Sequence, residues 1–197
     1  MSLKTLIVGL LLVSTVACAS SSSDTSYVEM TPEEAMASMM ELGTPGAEHG
    51  YLAETVGSWN ISSEMSMGPG TPMEHASATS EIKMILGGRF MHETFKMDLM
   101  GMPFEGNLLM GYDNVTKQYQ SVWVDNMTTG MTLSTGVRHE DGSFELNGTM
   151  YDAKTPNGRP TRMTTKKNAD DTVLFQMYDT GPDGEEFLVM ANTYTRR

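Results

Sequence analysis

RFMHETFKMDLMGMPFEGNLLMGYDNVTKQYQSVWVD, residues 89–125, decides the fold of this chain. Met91, Phe95, Met97 and Leu99 fall on one side of a period-two pattern, with Glu93 among them. Phe104, Gly106, Leu108, Met110 and Tyr112 form a second stripe, and Tyr119, Ser121, Trp123 and Asp125 a third. Alternation of this kind puts each stripe on one face of a β-strand. Asp113-Asn114, between the last two stripes, is a turn signal. Strands joined by such short connections are antiparallel neighbours.

The same pattern extends in both directions. Upstream, Trp59, Ile61, Met65 and Met67 alternate with polar residues, as do Ala78, Ser80, Ile82, Met84 and Leu86. Downstream, Met131, Leu133, Phe144, Leu146, Met163, Val173, Phe175, Met177, Phe187, Val189 and Tyr194 belong to the remaining strands. Gly87-Gly88, Asp141-Gly142, Pro156-Asn157-Gly158 and Pro182-Asp183-Gly184 punctuate these runs. The expectation is an all-β chain: one antiparallel up-and-down barrel of about nine or ten strands, over residues 57–197.

Residues 31–56 read differently. Thr31-Pro32-Glu33-Glu34 offers a cap, a proline at the first helical position and a capping box. Met36, Met39 and Met40 then share a face, and Gly43 ends the helix. A second short helix is expected over His49–Val56, with His49, Leu52, Ala53 and Val56 together. These helices are expected to pack on the barrel or plug one end.

Residues 1–17 form a signal peptide: Lys4, then the short apolar run Leu6–Val13, then small residues. Thr15-Val16-Ala17-Cys18 resembles a bacterial lipobox, so Cys18, the only cysteine, is the expected lipidation site. Residues 18–30 follow as a polar tether. Ala19 after the cysteine, with no aspartate there, points to the outer membrane, facing the periplasm or the cell exterior. The membrane partner is therefore expected through a lipid anchor in the bacterial cell envelope. A net charge of −12 argues against nucleic acid as a partner.

Several phrases carry a family resemblance. Glu48-His49 with Leu52, Val56-Gly57-Ser58-Trp59 and Leu86-Gly87-Gly88-Arg89-Phe90 resemble the bacterial domain-of-unknown-function family 1579. So do Gly101-Met102-Pro103-Phe104-Glu105-Gly106, Gly111-Tyr112-Asp113, Trp123-Val124-Asp125 and Tyr194-Thr195-Arg196. The resemblance runs from about His49 to Arg197. It implies a calycin-like barrel, similar to lipocalin-type binding barrels, with no established activity.

The chemistry-bearing residues are sparse. Methionine is abundant, with 20 in 197 residues. Thioethers select Cu(I), and Met65/Met67, Met97/Met100/Met102 and Met36/Met39/Met40 have suggestive spacing. Their dispersal over the strands favours an adaptable core instead. His49, His75, His92 and His139 show no metal-motif spacing and no evident axial ligand for haem. His92 is expected to point outward and His49 to satisfy a polar group at its helix start. No Gly-x-Ser-x-Gly elbow or phosphate loop occurs, so no catalytic or metal-ligating set is assigned and no cofactor is required.

Glu93 stands out as an acid on an apolar face, needing a partner; Arg162 and Arg89 are the candidates, though alternation turns Arg162 away. The expected function is non-catalytic binding of a small apolar or amphipathic ligand, lined by Trp59, Phe104, Tyr119, Trp123 and Glu93. The alternatives are an isomerase or hydrolase using Glu93 and Asp125, and a methionine-rich copper protein.

Overall fold

A computed structural model describes residues 27–197. The signal segment, Cys18 and most of the tether lie outside the described residues. Two helices come first, α1 (Pro32–Leu42) and α2 (Ala47–Ala53). Ten strands follow: β1 (Gly57–Ser66), β2 (Met73–Ile85), β3 (Phe90–Leu99), β4 (Met102–Asp113), β5 (Gln118–Asp125), β6 (Thr132–Arg138), β7 (Phe144–Met150), β8 (Arg159–Lys167), β9 (Val173–Thr180) and β10 (Glu186–Arg196). Each pairs antiparallel with its sequence neighbour, and β1 pairs with β10 to close the barrel. Closure leaves no open sheet edge.

The register carries one inward row around the whole wall. Trp59 stands opposite Ser80, Ser80 opposite Phe95, Phe95 opposite Gly106 and Gly106 opposite Asp125. Trp59, Ile61, Met91, Phe95, Met110, Tyr119, Leu146, Val173 and Tyr194 are buried in the resulting core.

Helix α2 seals one end. Leu52 is buried, and Thr55 just beyond the helix donates to the Met91 sulfur at 3.3 Å. The Tyr119 hydroxyl donates to Glu48 Oε2 at 2.6 Å. His49 Nδ1 accepts from the Gly46 amide at 3.1 Å, the helix-start role expected of it, and its ring meets Tyr112 edge-on. At the opposite end, where β3 and β4, β5 and β6, and β7 and β8 are joined, no helix among the described residues covers the barrel.

Helix α1 forms through the expected capping box, with Thr31 Oγ1 accepting from the Glu34 amide and Glu34 Oε2 accepting from the Thr31 amide. Its packing is a correction. None of its residues is buried, and Met39 and Met40 are 62% and 67% exposed. Local capping is enough to specify a helix without specifying what its face covers. In α2, the expected face also ends early: Ala53 and Val56 are exposed.

Three strand assignments are corrected as well: Met67 and Leu86 lie beyond strand ends and Met131 just before β6, and all three are exposed. In β6 Leu133 faces solvent, while Ser134 and Gly136 point inward opposite Ser121 and Leu146. In β10 a bulge between Leu188 and Met190 sets Met190, not Val189, opposite inward Met177. The methionines accordingly divide. Met91 and Met110 are buried and Met84, Met97 and Met163 pack against the core, whereas Met36, Met100, Met102 and Met127 are exposed.

Candidate functional site

The five expected ligand-lining residues all point inward, but they occupy three levels of the barrel. Trp59 and Tyr119 belong to the sealed end. Trp59 is 0% exposed; its indole Nε1 donates to the Thr55 carbonyl at 2.9 Å, and the Arg196 guanidinium covers its ring at 4.5 Å. Tyr119 is pinned by Glu48, and burial drives its hydroxyl pKa far upward. Both side chains fill space and hold α2 in place.

Phe104 and Trp123 lie toward the open end. Their rings stack at 6.4 Å, and Phe95 meets both edge-on at 6.1 and 6.2 Å. Gly106 makes this cluster possible, because a side chain there would collide with the Trp123 ring. Phe104, Trp123, Leu108, Met97 and Met163 are inward-facing yet only partly buried. An inward side chain keeps accessible surface only where the space beside it is not filled by protein.

Glu93 sits between these levels. Its partners are Ser80 and Tyr194, not an arginine. Ser80 Oγ donates to Glu93 Oε1 at 2.7 Å and the Tyr194 hydroxyl donates to the same oxygen at 3.1 Å. Arg89 instead bonds the Leu86 carbonyl, and Arg162 pairs on the outside with Glu186 at 2.6 Å. Burial is the dominant influence on Glu93 and raises its pKa, against the lowering effect of the two donors. The carboxyl group is thereby favoured in its neutral, hydrogen-donating form. The Tyr194 hydroxyl is pushed up too, first by burial and then by Glu93.

Asp125, the other acid of the enzyme reading, caps a loop. Its Oδ2 accepts from Trp123 Nε1 at 3.0 Å, and its Oδ1 accepts from the Met127 and Thr128 amides, both at 2.9 Å. Two features near the mouth had no signal in the pattern. Arg159 makes a bidentate pair with buried Asp179, at 2.6 and 2.8 Å, and also bonds Asp152 and Thr155 at 2.5 Å. The arginine at the mouth is thus committed to protein acids. Asn192 and Ser63, opposite each other on β10 and β1, are buried inside the barrel.

A further concavity lies elsewhere. A groove of about 960 Å³ runs across the outside of β3–β7, lined by Phe90, Leu109, Val122, Leu133 and Tyr151 among others. It arises because the inward residues behind it are small: Ser121, Ser134, Gly136 and Gly148 let the wall draw in. None of the five expected site residues borders it.

The candidate metal groupings fall apart by location. Met36, Met39 and Met40 are on α1, Met65 faces the barrel interior, and Met100 and Met102 sit at the β3–β4 turn. His92 faces outward, between Lys83 and Leu109. Among the described residues, no three His, Cys, Asp or Glu side chains gather as a metal site.

One end sealed by α2 and a wall of ten sequential antiparallel strands define a closed up-and-down β-barrel. Over residues 44–196 the sequence matches the model of a protein family of unknown function, DUF1579, and the chain belongs to that family. Among solved structures, it is similar to the S-type phycobiliprotein lyase of Guillardia theta. The TM-score is 0.53 and the identity 12%, with 80% of this chain and 96% of the lyase chain covered. That likeness extends to the fold. No curated protein matches the sequence.

Proposed function

We propose that this barrel binds a small apolar or amphipathic molecule, without transforming it, in the space between the sealed end and the uncovered end. One observation carries the reading. Phe104, Trp123, Leu108, Met97 and Met163 face inward and retain exposure, while Trp59 and Tyr119 beneath α2 are buried and Met84, Tyr112, Phe144 and Phe175 nearer α2 are partly buried. Apolar walls with a few convergent polar groups are what small-molecule sites are built from. The outer groove has apolar lining as well, with buried His49 and Ser134 at its floor, but it lies outside the wall and none of the inward aromatic residues Trp59, Phe104, Tyr119 and Trp123 borders it. The similar lyase fold supports a ligand-holding barrel by analogy of architecture only. Arg159 is already neutralised at the mouth, which favours an uncharged ligand over a free carboxylate.

The proposal extends to location. A lipid on Cys18 would hold the barrel at the envelope membrane; the support is the sequence of residues 1–18.

Tryptophan fluorescence tests the binding reading with two single-tryptophan proteins. Titration with long-chain alcohols, amides, quinones and haem should shift emission in Trp59→Phe, which keeps Trp123, and leave Trp123→Phe, which keeps Trp59, nearly silent. Silence of both with every compound would refute binding at the open end.

A further inference from the structure

The interior holds polar atoms that the protein itself does not satisfy. Ser63 Oγ and Asn192 Oδ1 are buried without a hydrogen-bond partner, and the residues are 0% and 3% exposed. They face each other across the β1–β10 pair. The Asn192 side chain neighbours the Tyr194 hydroxyl, one inward position along the same strand. Tyr194 in turn donates to Glu93 Oε1, where Ser80 also donates. Successive inward positions on a strand are about 7 Å apart, so the open valences of Ser63 and Asn192, opposite each other on β1 and β10, share one small volume beside the Tyr194 hydroxyl.

Leaving such groups bare in a barrel is costly, on the order of 1–3 kcal/mol each. A wall built for packing alone would carry aliphatic side chains here, as Ile61 and Ile82 do on the adjoining inward positions. The chemistry on offer is mixed. Asn192 Oδ1 accepts and the Ser63 hydroxyl donates. Met65 and Met190, the next inward pair toward the open end, face each other over this spot. Their unbranched thioethers can move aside more readily than branched residues.

We propose that Ser63 and Asn192 anchor the uncharged head of a carboxamide-type ligand. The head's N–H donates to Asn192 and its carbonyl accepts from Ser63. The apolar tail runs past Leu108 to the aromatic cluster of Phe95, Phe104 and Trp123. This rests on the binding reading above and adds the head-group chemistry to it.

The test compares dodecanamide with methyl dodecanoate, which has the carbonyl and tail but no N–H. Binding is read by calorimetry on the full folded chain. The amide should bind at least about tenfold more tightly, because a site of buried hydrogen-bonding groups penalises a ligand that leaves them unpaired. Asn192→Leu should cost the amide about five- to tenfold and leave the ester unchanged, whereas Ser63→Ala should weaken both by a similar factor, because both carry the carbonyl. Ser63→Ala removes only a hydroxyl, so it keeps the test valid if Asn192→Leu disturbs the strand. Equal binding of amide and ester, or unchanged amide affinity in both variants, would mean that these atoms hold water only, and would overturn the anchor while leaving the binding reading intact. No binding of either compound would overturn both.

Discussion

Glu93 illustrates how much a single side chain can depend on its surroundings. In the unfolded chain it titrates near its ordinary value of 4.5; in the barrel, burial raises that value. A raised carboxyl pKa means that the folded state holds its proton more tightly. The stability it contributes is complete below the unfolded value and is lost as pH rises from there through the folded value. Glu93→Gln keeps an acceptor for Ser80 and Tyr194 and removes the titration. Thermal melts should therefore show the variant gaining on the native protein between pH 4.5 and pH 7, with the gap closing in more acidic buffer. A constant offset at all pH values would show that the carboxyl does not titrate differently on folding.

At the scale of elements, two helices made from neighbouring stretches have opposite roles. Helix α2 is short and cannot stand by itself; Leu52, Tyr119–Glu48 and the Trp59–Thr55 bond hold it in place. Leu52→Ala should cost about 2–4 kcal/mol in denaturant unfolding, as truncation of a buried leucine does. Deleting residues 27–41, which include nearly all of α1, should change the same measurement by less than about 1 kcal/mol, since α1 buries nothing. The difference between these helices was not legible in the sequence. A capping box is written in four consecutive residues, but what a methionine face covers depends on distant strands. The barrel was legible for the opposite reason: alternation and turn signals are local and repeat ten times. It was faintest at β6, where Leu133 is an apolar residue on an outer concave surface, while the inward Ser134 and Gly136 are small to fit a drawn-in wall. The candidate site was legible in part. Trp123, Phe104 and Glu93 could be placed inside by parity, but Ser63 and Asn192 carry no pattern that distinguishes them from the polar face of a strand. Tyr119 and Trp59 have the same inward parity as Trp123 and differ only in lying under α2.

For the whole molecule, the anchor and the barrel make separable claims. Cys18→Ser should move the protein from the membrane pellet to the soluble fraction, with unchanged ligand binding; retention in the pellet would refute the anchor. Closure of the barrel has a consequence for how the chain comes to be folded. The seam pairs the first strand with the last, Ile61 with Tyr194 and Trp59 with Arg196. The end of the chain also ties down the start of the sheet: Arg196 donates to the Val56 and Glu54 carbonyls, and the Arg197 amide donates to the Ser58 carbonyl. No portion of the chain before β10 can seal the cylinder, so a nascent protein presents two bare strand edges until β10 arrives. Contacts between such remote segments make folding slow relative to helical proteins of equal length. Removing residues 186–197 should accordingly abolish the cooperative thermal transition and yield aggregates detectable by light scattering, even though nine of the ten strands remain. Late closure also gives the chain a built-in check on completeness: a truncated product lacks the seam and remains open to chaperones and proteases.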